Sequence, residues 1–128
     1  MKELKSRIDW SELDLYGHVN NVAFMKYIQA SRVNFWDEVG ITKTHKETNI
    51  GPMLARTSCQ FKQPLFYPGE VRIEAKVSFI KNTSFGFHHT IYTTSNEIAA
   101  EADDVMVLYD FTKNEKVVIP EGLRKLLV

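Results

Sequence analysis

A chain of 128 residues is long enough for one domain, burying roughly two-thirds of the surface it exposes when unfolded. Sixteen basic residues balance sixteen acidic ones, so no charge excess points to a nucleic-acid or membrane partner, and a neutral chain is a candidate for self-association. Cys59 is the only cysteine, which excludes an internal disulfide and a cysteine-based zinc site and fits a reducing compartment.

Met1 to Arg7 lacks the apolar core of a secretion signal, and no later stretch approaches membrane-spanning length, so the expected location is the cytoplasm. Leu4 to Asp9 reads as a short first strand, and Trp10 to Val19 as an irregular approach to a helix. Asn20 and Asn21 are good N-cap residues, because a carboxamide oxygen accepts from the free amides of a first turn. From Val22 to Val39 the apolar residues are spread too widely for one narrow stripe, which predicts a helix wrapped by protein on most sides. Its eighteen residues would span roughly 27 Å, and Gly40 is the natural left-handed stop.

Thr42 to Pro52 is polar and reads as a loop. Met53 to Lys62 then alternates cleanly as a half-buried strand, with Met53, Ala55, Thr57, Cys59 and Phe61 on one side. Pro64 and the turn Tyr67-Pro68-Gly69 lead to a strand from Val71 to Phe79. The turn Lys81 to Ser84 leads to one from Phe85 to Thr93, and the turn Thr94 to Glu97 to one from Ile98 to Phe111. Short turns between successive strands predict an antiparallel meander. After a polar loop from Thr112 to Lys116, Pro120 suits the first position of a terminal helix over Glu121 to Leu127. One long helix on one antiparallel sheet is an α+β layer architecture.

The stretch Asp14 to Asn21 concentrates the chemistry. A carboxylate just ahead of a helix can act as nucleophile or as general base toward water, and the free amides of the first turn can hold an oxyanion. From spacing alone the plainer account leads, in which Asp14 caps a turn and the asparagines cap the helix. His18 lies four residues from Asp14, close enough in a compact turn for a hydrogen bond that orients its imidazole, although a structural histidine is the simpler reading. His88 and His89 are adjacent in a strand, point to opposite faces and are a poor metal pair; they are assigned no role. His45 reads as a solvated loop side chain and Cys59 as a buried, inert thiol. No phosphate loop, serine elbow or metal cluster is apparent.

The run from Trp10 to Arg32, with Asp14, Gly17, His18, Asn20 and Asn21, resembles the hotdog-fold thioesterases of the 4-hydroxybenzoyl-CoA thioesterase superfamily. Gln63-Pro64, Tyr67 to Glu70 and the closing Ile119 to Arg124 extend the resemblance along nearly the whole chain. It implies a hotdog fold, with a long helix wrapped by a curved antiparallel sheet. It also implies homodimers that pair sheets edge to edge, often assembled further into tetramers, and thioester hydrolysis without a metal or other cofactor.

By position, Asp14 matches the family's catalytic aspartate and Asn21 the residue whose amide polarises the thioester carbonyl. Tyr16 and Gly17, in the same turn, become candidate substrate contacts. Family sites lie between subunits, and Lys81, Thr83 and Ser84 of the partner's turn resemble the region that meets coenzyme A. Relatives acting on acyl-CoA often have histidine at the position of Asn21 and glutamate at that of Gln29. The run His18-Val19-Asn20-Asn21 is instead similar to plant acyl-carrier-protein thioesterases, although Tyr16 stands where their motif has asparagine. Both acyl-CoA and acyl-carrier-protein substrates therefore stay open. A hotdog hydratase or dehydratase, or a non-catalytic acyl-binding protein, are the alternatives from other functional classes.

Overall fold

The computed structural model describes all 128 residues. In chain order the elements are β1 (Lys2–Arg7), a 3-10 turn (Trp10–Glu12), α1 (Asn21–Val39), α2 (Ile41–Thr48), β2 (Ile50–Phe61), β3 (Glu70–Ile80), β4 (Ser84–Tyr92), β5 (Ile98–Asp110), β6 (Glu115–Lys116) and α3 (Glu121–Leu127). The sheet is antiparallel throughout, in the order β1-β3-β4-β5-β2, with β6 added beside β5. It curls around α1, which is the hotdog arrangement.

The ends of α1 form as the residues dictate. The Asn20 side chain accepts from the Ala23 amide at 2.8 Å, and Gly40 closes the helix at φ +85°. Between them Ala23, Phe24, Tyr27, Ile28, Ser31, Arg32 and Phe35 make one buried stripe. The expected wrapping on most sides does not occur within the chain, since Val22 and Val33 remain exposed. Around the first half of the stripe gather Ile8, Val19, Leu65, Val71, Ile73 and Ile91. Around the second half gather Ile41, Phe85, Phe87, Met106 and Leu108.

Four expectations need correction. The polar stretch after Gly40 is not a loop but the helix α2, which buries only Ile41 and stops at Asn49 in the left-handed conformation. Ile41 is its one apolar residue, and a polar segment with three threonines reads by composition as a loop. Strand β2 does not join the meander of β3, β4 and β5 through β3; it crosses the sheet to pair with β5, and a bulge between Leu54 and Arg56 breaks its alternation. Pro120 is the N-cap of α3 rather than its first helical residue. His45 is not a solvated loop side chain. It is half-buried on α2, with its ring edge-on to Phe111 at 5.5 Å and Nδ1 enclosed without a partner.

The remaining boundaries shift by little. The first strand runs Lys2–Arg7 rather than Leu4 to Asp9, and the polar segment before α3 contributes the two residues of β6.

Candidate active site at the helix N-terminus

The segment between β1 and α1 is tied down at every few residues. Asp9 accepts from the Ser11 amide at 2.8 Å and hydroxyl at 2.6 Å, and these bonds hold its carboxyl below the usual range. The chain then doubles back, with Leu13 bridged to Val19 and His18 to Phe66. At the tip, Gly17 takes φ +83°, a conformation that favours glycine, and its amide donates to the Asp14 carbonyl at 3.2 Å.

Asp14 is exposed, and its carboxylate is oriented by main-chain donors. Oδ1 accepts from the Tyr16 amide at 2.8 Å and from the His18 amide at 3.0 Å, while the Asp14 amide donates to the His18 carbonyl at 2.6 Å. Oδ2 takes no bond from the chain and is the oxygen available for chemistry. The expected link between Asp14 and His18 therefore exists, but it runs through the backbone of His18. The imidazole makes no hydrogen bond and lies edge-on to Phe66, centroids 5.1 Å apart.

At the start of α1 the amides of Asn21 and Val22 have no acceptor within the chain, whereas those of Ala23 and Phe24 are taken up by Asn20. Two unsatisfied donors at the positive end of a nineteen-residue helix make a site for developing negative charge. Asp14, His18 and Asn21 line one pocket of about 330 Å³, walled by Phe24 and Phe61 and completed by Val19, Lys62, Gln63 and Pro64. Phe24 and Phe61 meet edge to face, with centroids 5.0 Å apart.

Two larger cavities offer less. One of about 470 Å³ between α2 and α3 is lined by no titratable side chain, and one of about 480 Å³ lies by the chain termini and the end of β3.

Not every candidate residue joins the pocket. Tyr16 is 81% exposed at the turn tip, and neither it nor Gly17 lines the cavity. Lys81, Thr83 and Ser84 lie at the opposite end of the sheet. Ser84 pairs with Val107 whereas Ile91 pairs with Ala100 beside the pocket, a separation along β4 of roughly 23 Å. Their turn is held by α3, whose Arg124 donates to the Lys81 carbonyl at 2.7 Å. Cys59 is half-buried against the first core cluster rather than fully buried, and burial pushes its thiol upward.

Two polar groupings escaped the sequence reading. Behind the pocket, buried Glu12 accepts from the Tyr27 hydroxyl at 2.8 Å; burial and that carboxylate together push the phenol well above its ordinary range. Deeper in the core, His89 does point to the face opposite His88, but it is not idle. Its Nε2 lies 2.6 Å from Asp104 Oδ2 and its Nδ1 2.9 Å from Ser31 Oγ. Arg32 Nε donates to the same carboxylate at 2.9 Å and the Thr57 hydroxyl at 2.8 Å. Ser31, Arg32, His89 and Asp104 are buried and Thr57 is half-buried, and together they join α1 to three strands. A signal for it was present, because Asp104 falls in step with Ala100, Ala102, Met106 and Leu108 on the buried face of β5.

The Thioesterase-like superfamily matches residues 8–127, and the chain belongs to it. An acyl-acyl carrier protein thioesterase of Arabidopsis thaliana chloroplasts is 29% identical over 129 residues, covering 98% of this chain and 67% of that protein. The uncharacterised protein YsmA of Bacillus subtilis is 26% identical over 85 residues, 66% of this chain and 56% of its own length. Among solved structures, a gentisyl-coenzyme A thioesterase superposes with a TM-score of 0.88 at 23% identity, covering 99% of this chain and all of the other (100%).

Proposed function

We propose that this protein hydrolyses acyl-CoA thioesters to a carboxylic acid and free coenzyme A, using the pocket at the N-terminus of α1. The observation that carries the reading is the pairing of an oriented, exposed carboxylate with two unsatisfied helix amides on one cavity. The Asn21 amide would hold the oxyanion as the thioester carbonyl is attacked, with the helix dipole favouring the same charge. Asp14 Oδ2 would either take a proton from water or attack the carbonyl itself. In the second route an acyl–aspartyl anhydride forms, the thiolate leaves, and water cleaves the anhydride. Label in Asp14 after a single turnover in ¹⁸O-water would mark the anhydride route, since the general-base route places all of it in the product acid.

His18 would help by positioning Asp14, with its backbone amide holding Oδ1 while its ring packs edge-on against Phe66. In the assembled protein, a homodimer or tetramer of such dimers, Lys81, Thr83 and Ser84 of a second copy would meet the coenzyme A, with Tyr16 and Gly17 at the near rim. Acyl-carrier-protein thioesters are the second reading, favoured by the Arabidopsis relative and by the shared His18 to Asn21 run.

Thiol release from a panel of aliphatic and aromatic acyl-CoA substrates tests the assignment. Asp14→Asn should lower kcat at least about a hundredfold while leaving the fold intact. Full activity in that variant would sink the role given to Asp14. Release only from carrier-protein thioesters would select the second reading.

A further inference from the structure

Glu12 is only 8% exposed, and a carboxylate so far removed from water has to be matched by donors. Its Oε1 accepts from the Asp9 amide at 2.8 Å and from the Tyr27 hydroxyl at 2.8 Å, and its Oε2 lies 3.7 Å from Lys26 Nζ. Its own carbonyl accepts the Asn20 amide at 2.8 Å. One residue thus fastens the approach segment to α1 at the N-cap and again at the helical turn beyond it. The carboxylate of Asp14 lies in the short excursion between Glu12 and Asn20, and the free amide of Asn21 follows directly at the start of α1. The returning arm of that excursion has other anchors, the Val19 amide on the Leu65 carbonyl at 2.9 Å and the bridge from His18 to Phe66. The outgoing arm, which carries Asp14, is tied to the returning arm by the bridge of Leu13 to Val19 and by the Asp14 amide on the His18 carbonyl, and its link to the body of α1 runs through Glu12.

We propose that Glu12, clamped by the Tyr27 hydroxyl, is a positioning residue that sets where the Asp14 carboxylate stands relative to the amides of α1. Glu12 does not line the pocket and touches no reacting atom. It acts on the reaction through geometry alone, and near-attack geometry is steep enough for a small displacement to lower turnover strongly. This inference rests on the thioester-hydrolase reading of the site.

Tyr27→Phe is the cleanest probe, because the ring keeps its place in the core while the clamp loses its hydroxyl. Expected is a folded protein with kcat down about tenfold and KM within about twofold of the parent. The Tyr16 and His18 amides, both bonded to Asp14 Oδ1, should exchange with solvent deuterium faster than in the parent. Glu12→Gln keeps a carbonyl acceptor and should stay within about twofold of parent kcat, whereas Glu12→Ala should match or exceed the Tyr27→Phe loss.

Unchanged kcat in Tyr27→Phe overturns the proposal, as does a lowered kcat with unchanged exchange at those two amides. Glu12→Gln as impaired as Glu12→Ala overturns it as well. If the parent protein releases no thiol from any thioester, the hydrolase reading fails separately. Exchange at the Tyr16 and His18 amides in Tyr27→Phe then decides the clamp by itself, faster exchange supporting it and parental exchange overturning it.

Discussion

At Asp104 burial alone would raise the carboxyl pKa, but hydrogen bonds from His89, Arg32 and Thr57 outweigh it and hold the group down at about 2. A group whose folded pKa lies below its unfolded value of 3.8 contributes stability in full above that value. The contribution is lost as pH falls from about 4 toward about 2, and the size of the shift makes it about 2 kcal/mol. Protonation also leaves Arg32 buried opposite a neutral acid, an arrangement that is destabilising in itself. Asp104→Asn should therefore be several kcal/mol less stable than the parent near neutral pH, and the gap should narrow by about 2 kcal/mol at about pH 2. Urea unfolding of both proteins across that range measures it, and a gap independent of pH would contradict the assignment.

Among the elements, the hairpin of β3 and β4 carries an irregularity that defines its packing. A bulge between Val77 and Phe79 lays the Phe79 ring over Gly86 on the neighbouring strand, so that a methyl group added at Gly86 would overlap the ring. Gly86→Ala should cost about 1–3 kcal/mol, seen as a lower thermal midpoint, and a variant as stable as the parent would show that the ring moves freely.

What could be read from the sequence follows the range of the interactions. The ends of α1 were legible because Asn20 and Gly40 act on their own neighbours. That Asp14, His18 and Asn21 stand together was legible for the same reason, as they fall within eight consecutive residues. Helix α2 was not, because the threonines at 42, 44 and 48 dilute a pattern with a single buried apolar residue. Neither were the pocket-lining roles of Phe61, Lys62 and Gln63, or the ion pair of Arg32 with Asp104, whose partners stand 72 residues apart. Chain reversal brings such pairs together, and no local spacing encodes it. The turn of Lys81 to Ser84 was legible as a turn, while its distance from Asp14 followed only from the strand register.

For the whole molecule the informative asymmetry is between the two edges of the sheet. Strand β1 is six residues long and carries Lys2 and Lys5, a short and charged edge of the kind that discourages further pairing. Strand β2 is twelve residues long, forms the other edge, and leaves Met53, Leu54 and Phe61 exposed. Val22 and Val33, exposed on α1, add apolar surface outside the buried stripe. An edge of that length with Arg56 as its one charged residue, in a chain with no net charge to keep copies apart, would accept a second copy of itself. A two-fold pairing of β2 strands would extend the sheet continuously and cover that surface at once. The protein should therefore sediment as a dimer or a multiple of it at micromolar concentration. Leu54→Glu together with Met53→Glu sets like charges against each other across the pairing and should yield a folded monomer. If the partner's Lys81 to Ser84 turn completes the site, that monomer should lose most of its thioester turnover while keeping the Asp14 pocket of the single chain. A parent protein that sediments as a monomer and turns over fully would remove both the interface and the shared site.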